Sequence, residues 1–459
     1  RFVVVGGRRG RPATALLLVR IARSVEGMED AARMFMNPDM EVTEFDSDSG
    51  KPMMLCVIPA GGEPVRLAVP AVYVELLRQF DGVRTRDEAI EAFRGIHGET
   101  FDTSWLQRLI ETSLRPRGML VEQGQDPMLA GAPTKPRRSF LFVKLPVIPP
   151  AIVDPIARVL GFLFHRPILI AGLLAFVASH VYVYGVLVHG QHVNFNSLDG
   201  GSILLLMLLS TLGTICHEFG HASAAAHFGC RRMTIGWGIY MVYTVLWTNV
   251  SEAWKLPRRQ RAIVDIGGVH FESMFLLLML GLHLATGNPI FLFAFIFIDL
   301  SIANTFNPFL RMDGYWLISD LFGVVNLRQQ QNLLLQVAAH RLVGAPPPAS
   351  RPTLSPRATV ALVVYTILGT VFLAYIMYAI FTFAVMSVAV EYPGMLRAFW
   401  AQLQSGADFL ALLGSAFELL WRALILTAAT VTIWNLSRSG IRTASRIVSL
   451  RTPRAATDV

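Results

Sequence analysis

From residue 167 onward the chain alternates long apolar runs with short polar loops. The runs cover roughly 167–187, 203–228, 262–284, 289–306, 359–390 and 409–433. Uncharged stretches of such length predict transmembrane helices rather than buried core. About six of them put both termini on one side of the bilayer. Between the second and third runs, residues 233–248 follow another rule: they are β-branched and aromatic, interrupted by Gly236 and Gly238. That pattern disfavours helix and predicts a membrane-associated β-hairpin. Irregular or extended backbone at membrane depth requires protein or a water cavity to satisfy it, so the hairpin is expected tucked against one of these. There its free edge would offer strand addition to an extended substrate. An interfacial loop with aromatic anchors is the alternative.

Ahead of the apolar runs the periodicity is that of a small soluble domain. Strands are predicted at 53–58 and 65–69 around Ala60-Gly61-Gly62, and helical patterns at 70–80, 86–96 and 103–115. Asp81-Gly82 ends the first helical pattern and Thr85 or Arg86 opens the second, with a returning strand at 118–121. The expected fold is therefore mainly α: a polytopic membrane protein plus a small N-terminal α+β winged-helix-like domain. Its divisions are a flexible segment 1–51, the winged-helix-like domain 52–124, a linker 125–154 and a catalytic membrane core 155–330. A loop 331–357, two C-terminal transmembrane helices within 358–436 and a basic tail 437–459 follow.

Composition agrees with a membrane chain: 53% of residues are hydrophobic and only 16% charged. The net charge of +8 is explained by its placement rather than by nucleic acid, which is not an expected partner. Lys and Arg number six in 131–166, six in 231–261, five in 311–357 and five in 437–459, whereas loops 189–200, 287–288 and 391–406 hold only Arg397. This bias places the basic loops, both termini and the small domain in the cytoplasm, in a multi-pass protein of the cell membrane. The basic tail is expected to contact anionic lipid headgroups. Cys56, Cys216 and Cys230 show no paired spacing, so neither a disulfide framework nor a cysteine metal site is expected. No cleavable signal peptide is evident.

Within the second apolar run lies His217-Glu218-Phe219-Gly220-His221. On a helix the two imidazoles stand about 6 Å apart along the axis and reach one divalent ion. Glu218 projects beside them, placed to take a proton from the attacking water. Two histidines leave a catalytic zinc one protein ligand short. The fourth run ends in Asn304-Thr305-Phe306-Asn307-Pro308, where proline breaks the helix, and Asp313-Gly314 follows at a turn.

HExxH on a transmembrane helix, followed about a hundred residues later by Asn-Pro and then Asp-Gly, resembles the site-2 protease family of intramembrane zinc metalloproteases. The resemblance implies one zinc per chain held by His217, His221 and Asp313, with Glu218 as general base. It also implies that Asn304 or Asn307 lies near substrate or the developing oxyanion. Two imidazoles and a carboxylate favour zinc over other divalent ions. Asp313-Gly314-Tyr315-Trp316 resembles the bacterial peptide zinc metalloprotease branch. Residues 64–122, through Leu76 to Thr85 and Glu88-Ala89-Ile90, resemble PqqD-like domains that grip the leaders of ribosomally made, modified peptides. The pairing is similar to the protease of daptide-type peptide biosynthesis. It implies that a precursor peptide is bound through its leader and that the leader is removed; the product would then stay in the membrane or pass to a partner exporter. Two alternatives are release of a membrane-anchored regulator, and a transporter or receptor with a structural metal. A third possibility is that residues 52–124 bind a regulator rather than substrate.

Other ionisable residues have two readings each. His270 and Glu272 either line a water route to zinc or make structural hydrogen bonds, and Asp299 is expected to be a partnered carboxylate. His227 is expected at a cap or surface, Glu418 and Arg422 to pair, and the acidic patch Glu41, Glu44, Asp46 and Asp48 to be solvated.

Overall fold

The computed structural model describes residues 33–60, 64–130, 141–189, 200–240, 243–342, 354–386, 390–406 and scattered positions between 344 and 438. Of the sequence divisions, residues 1–32, 131–140 and 439–459 lie outside the described residues, as do scattered positions of the expected sixth span.

The N-terminal domain begins earlier than its periodicity indicates. Strands β1 (Met34–Met36) and β2 (Glu41–Glu44) fall inside the stretch expected to be flexible. Strand β3 (Met53–Ile58) pairs antiparallel with β2 and with β4 (Val65–Pro70), as the alternation of apolar residues requires. Helices α1 (Ala71–Leu77), α2 (Arg86–His97) and α3 (Thr103–Leu109) follow. A reciprocal capping box opens α2: Thr85 accepts from the Glu88 N–H while the Glu88 carboxylate accepts from the Thr85 N–H. The chain returns through β5 (Leu120–Glu122), which pairs with β1 rather than with the β3–β4 hairpin. Ile58, Leu77, Ile90, Phe93, Leu106, Ile110 and Leu120 close one core between sheet and helices. Cys56 is sealed in this core, and burial pushes its thiol up to about 11. All three cysteines are free.

Strand β6 (Leu141–Ile148) and helix α4 (Pro150–Leu160) occupy the second half of the expected linker. The sequence hides β6 because Pro146 interrupts it and its register shifts twice against its partner. Helix α5 (Arg166–Tyr182) continues through a wide turn to Val188, and α6 (Gly200–His227) carries the histidine motif. The expected hairpin forms as β7 (Ile235–Tyr240) and β8 (Tyr243–Thr248), joined to β6 in a sheet of order β6-β7-β8. Gly236 is needed here, since a Cβ would lie 2.2 Å from the Trp247 ring and 2.6 Å from the Leu145 carbonyl. Helices α7 (Arg258–Thr286), α8 (Pro289–Thr305) and α9 (Asp313–Leu321) complete this unit.

Four described helices are long and apolar enough to cross a membrane: Arg166–Val188, Gly201–His227, Arg258–Thr286 and Pro356–Ala379. The expected fourth span is the shorter apolar helix Pro289–Thr305, of 17 residues. Ile170, Leu173, Leu174, Val177 and Val181 all face outward from α5. A continuous apolar surface of this kind belongs against lipid rather than water, and marks a membrane protein.

The second compact unit begins at Val324. It holds helices α10 (Leu327–Leu342), α11 (Pro356–Met386) and α12 (Tyr392–Gln404). Arg422 pairs with Glu418 at 3.7 Å, as its spacing indicates, and also with Glu391.

The acidic patch is engaged rather than merely solvated. Glu41 meets Lys255 at 2.6 Å, Asp46 accepts the Arg258 N–H at 3.0 Å, and Asp48 lies 3.7 Å from the Arg258 guanidinium. Arg261, only 4% exposed, ties three segments together. Its guanidinium donates to Asp320 on α9 and to the Asp46 and Leu256 carbonyls, and stacks 4.4 Å over the Phe45 ring. Breaking a buried pair strands its partner charge, so Arg261→Met is expected to cost about 3–5 kcal/mol. The measurement is the thermal unfolding midpoint of the detergent-solubilised chain; an unchanged midpoint would deny Arg261 this clamping role.

Candidate metal centre

Helix α6 owes its seat to small residues. A Cβ on Gly220 would lie 2.2 Å from the Gly267 carbonyl oxygen, and one on Gly268 would lie 2.5 Å from His217 Nε2. The helices α6 and α7 therefore touch backbone to backbone, and the His217 ring lies against Gly268. Such close approach is how transmembrane helices pack when lipid supplies no hydrophobic drive between them.

His217 and His221 are both buried, at 7% and 8% exposure, as is Glu218 between them at 6%. Each ring is fixed from behind by α7. His221 Nδ1 donates to the Val264 carbonyl at 2.8 Å, and His217 Nδ1 donates to Glu272 Oε2 at 2.9 Å. Those bonds place the proton of each neutral ring on Nδ1, leaving both Nε2 lone pairs directed inward.

The third member comes from a distant segment. Helix α8 ends at Thr305, the Asn307-Pro308 turn follows, and Asp313 opens α9. Gly314 is required there, because a Cβ would sit 2.1 Å from the Phe306 carbonyl oxygen. This contact sets Asp313 against the histidines: its Oδ2 lies 2.9 Å from His217 Nε2 and 3.1 Å from His221 Nε2, and the two Nε2 atoms are 3.0 Å apart.

With both rings neutral and protonated on Nδ1, three electron-rich atoms face one another and repel. A cation at their centre turns that repulsion into attraction, so the donor set fits a divalent metal. Ligands about 2.0–2.1 Å from a tetrahedral zinc stand about 3.3 Å apart, within a few tenths of an ångström of the distances found. The His–Glu272 contact is the carboxylate–histidine arrangement that orients a metal ligand.

Glu218 is held by the hairpin. Thr248, the last residue of β8, donates its hydroxyl to Glu218 Oε2 at 2.6 Å and lies 3.1 Å from the Glu218 carbonyl oxygen. The carboxylate lies within electrostatic reach of His217, His221 and Asp313, with one oxygen occupied by Thr248.

Of the expected site residues, His217, His221, Asp313 and Glu218 come together. Asn304 and Asn307 do not join them. Asn304 is exposed on the last turn of α8, and Asn307 Oδ1 accepts the Phe309 N–H at 3.0 Å, which shapes the turn. Among the described residues neither side chain is hydrogen-bonded to the cluster. His270 serves structure: its ring packs on Gly172 and Phe164, with Nε2 3.3 Å from the Leu163 carbonyl. Asp299 is partnered as expected, accepting from His180 at 2.8 Å and Tyr184 at 2.6 Å. His227 packs edge-on against His165.

Glu272, Thr248, Gly220 and Gly268 are the working residues whose roles the sequence leaves open. Glu272→Gln is expected to weaken zinc affinity about 10–100-fold while the chain stays folded. Competition against a chromogenic chelator measures this, and unaltered affinity would show that Glu272 does not orient His217.

No family model and no curated protein matches this chain, and no solved structure matches it either, so its chemistry rests on the geometry of its own residues.

Proposed function

We propose that the chain is an intramembrane zinc metallopeptidase that hydrolyses a peptide bond in or near the bilayer. The observation that carries this reading is the convergence of His217 Nε2, His221 Nε2 and Asp313 Oδ2, with the Glu218 carboxylate alongside. His217, His221 and Asp313 would hold the ion. A bound zinc supplies Lewis-acid polarisation of the scissile carbonyl and acidifies a water.

The chain's own groups do the rest. Glu218 accepts the proton of the attacking water and delivers it to the leaving amine. Thr248 keeps one carboxylate oxygen occupied, so the other is aimed at the reacting water. Val264 and Glu272 hold the imidazoles in register. Strand β8 is an outer strand of its sheet and ends at Glu218's partner, so an extended substrate adding to that edge would run toward the site.

The topology that accompanies this reading has six spans, counting Pro289–Thr305 and 409–433, with both termini in the cytoplasm by the charge bias. The N-terminal domain then faces the cytoplasm, docked at the base of α7 through Lys255, Arg258 and Arg261. Tethering a leader there raises its concentration at the site without demanding affinity from the site itself. The substrate assigned is the precursor of a ribosomally made, modified peptide, whose leader is removed before an exporter takes the product.

Co-expression with a candidate precursor, followed by mass spectrometry of the cleavage site, tests this. Cleavage at the leader junction supports the reading, and cleavage only of a membrane-anchored regulator replaces it with regulatory proteolysis. No cleavage of any peptide by a zinc-loaded chain would leave a structural metal site and overturn it.

A further inference from the structure

Beneath the N-terminal domain, where it meets the loops leaving α6 and β8, lies a cleft of about 340 Å³. Its wall on the domain side includes Asp39, Glu41 and Arg66; facing them are Arg231, Arg232, Glu252 and Lys255. This volume is within the usual range for ligand sites. Asn249 and Ser251 also line it, and Asn249 directly follows the Thr248 that holds Glu218. One residue of chain, about 3.5 Å, therefore separates the cleft lining from the hydroxyl on the general base.

The charges in the cleft are unevenly committed. Glu41 pairs with Lys255 at 2.6 Å. Glu252 is turned inward to accept the Arg231 N–H at 2.8 Å. Asp154, just outside, accepts the N–H groups of Arg232 and Met233 at 2.8 and 3.0 Å. Asp39 is the one lining carboxylate left over. By contrast, among the described residues no carboxylate lies within ion-pair distance of the Arg66, Arg231 or Arg232 side chains. The Arg66 guanidinium donates from one terminal nitrogen to the Pro64 carbonyl at 3.5 Å, while its Nε is shielded from water with no hydrogen-bond partner. Arg232 adopts a left-handed backbone, φ 58°, which a non-glycine residue keeps only when its surroundings impose it. Asp154 supplies that constraint. Carboxylates anchor the backbones of Arg231 and Arg232, and their exposed side chains line the cleft together with Arg66.

We propose that this cleft binds an acidic segment of the polypeptide substrate, its carboxylates pairing with Arg66, Arg231 and Arg232. The inference rests on the reading of the adjoining centre as a peptidase. Arginine is suited to this task because its planar fork takes a carboxylate through two parallel bonds. The segment leaving the cleft passes Asn249, whose neighbour Thr248 ends β8 at Glu218. A peptide suits the cleft better than a lipid headgroup, since its lining joins residues of the N-terminal domain to Asn249 and Ser251, just past the end of β8.

The test is binding, read independently of hydrolysis, on the full chain in neutral detergent. The probes are a fluorescein-labelled twelve-residue peptide carrying four glutamates and its counterpart with four glutamines. The acidic peptide is expected to bind about tenfold or more tightly than the neutral one, an advantage that shrinks with added salt. Arg66→Gln combined with Arg231→Gln should remove that advantage with zinc content and thermal midpoint unchanged. Arg231→Glu with Arg232→Glu should transfer the preference to a four-lysine peptide, a gain that misfolding cannot produce. Equal affinity for the acidic and neutral peptides overturns the proposal. So does arginine-dependent binding of phosphatidylglycerol vesicles without peptide discrimination, which would make the cleft a headgroup site. A chain that binds the acidic peptide but never hydrolyses one keeps the cleft and loses the peptidase.

Discussion

Glu218→Gln is expected to abolish hydrolysis while zinc content stays near one per chain. General acid–base catalysis contributes about 10²–10⁴-fold, and here one carboxylate serves both directions of proton transfer, so the loss should fall at the upper end of that range. The fold has little reason to change. The substituted side chain retains an amide oxygen for the Thr248 hydroxyl, now 2.6 Å from Glu218 Oε2, and the helix seat depends on Gly220 rather than on position 218. Neither Nε2 atom nor Asp313 Oδ2 is altered. The experiment compares cleavage by mass spectrometry with zinc by elemental analysis on the same preparation. A Glu218→Gln chain that cleaves as fast as the parent would remove Glu218 from the mechanism, and with it the hydrolase reading.

The elements that are legible in the sequence share a feature: each is dictated by local chemistry. His217 and His221 one helical turn apart, the Asn307-Pro308 break, and Asp313-Gly314 at the next helix start are constraints written in adjacent residues. The same holds for the β3–β4 hairpin, the capped helix after Thr85, and the β7–β8 hairpin with its glycines. What cannot be read depends on partners far along the chain. Strand β1 is short and becomes a strand only because Phe35 faces Val121. The β6 strand depends on β7 to carry it past Pro146. Glu272 stands out as an ionisable group in an apolar helix, yet nothing in its neighbours tells that α6 lies within backbone contact of α7. That contact is set by Gly220 against Gly267 and by His217 over Gly268. The acidic patch at Glu41–Asp48 reads as ordinary solvated surface because its cations, Lys255, Arg258 and Arg261, lie about two hundred residues away. Asn307 shows a local role, since its Oδ1 accepts the Phe309 N–H and shapes the turn after Pro308.

Asp313→Ala should have the complementary effect, losing the metal first and activity as a consequence. Removing the outer partner Glu272 is expected to cost about 10–100-fold in affinity, and removing a direct ligand should exceed that. Without the carboxylate, two lone pairs 3.0 Å apart face a site with one anionic donor fewer, and the pair alone cannot complete a three-ligand catalytic set. The Asp313 side chain is about a quarter exposed, so its truncation opens no sealed cavity, and Gly314 still seats α9 against Phe306. Stability in the metal-free state should therefore differ little from that of the metal-free parent. Stabilisation by added zinc, which scales with occupancy, should be present in the parent and in Glu218→Gln but shift to far higher zinc in Asp313→Ala. Thermal midpoints titrated with zinc separate the three chains without any substrate. If Asp313→Ala takes up zinc as tightly as the parent, the ion is held elsewhere and the three-atom convergence is not its site. If Glu218→Gln loses zinc as readily as Asp313→Ala, the glutamate is a ligand rather than a base, and proton transfer must be assigned to another group.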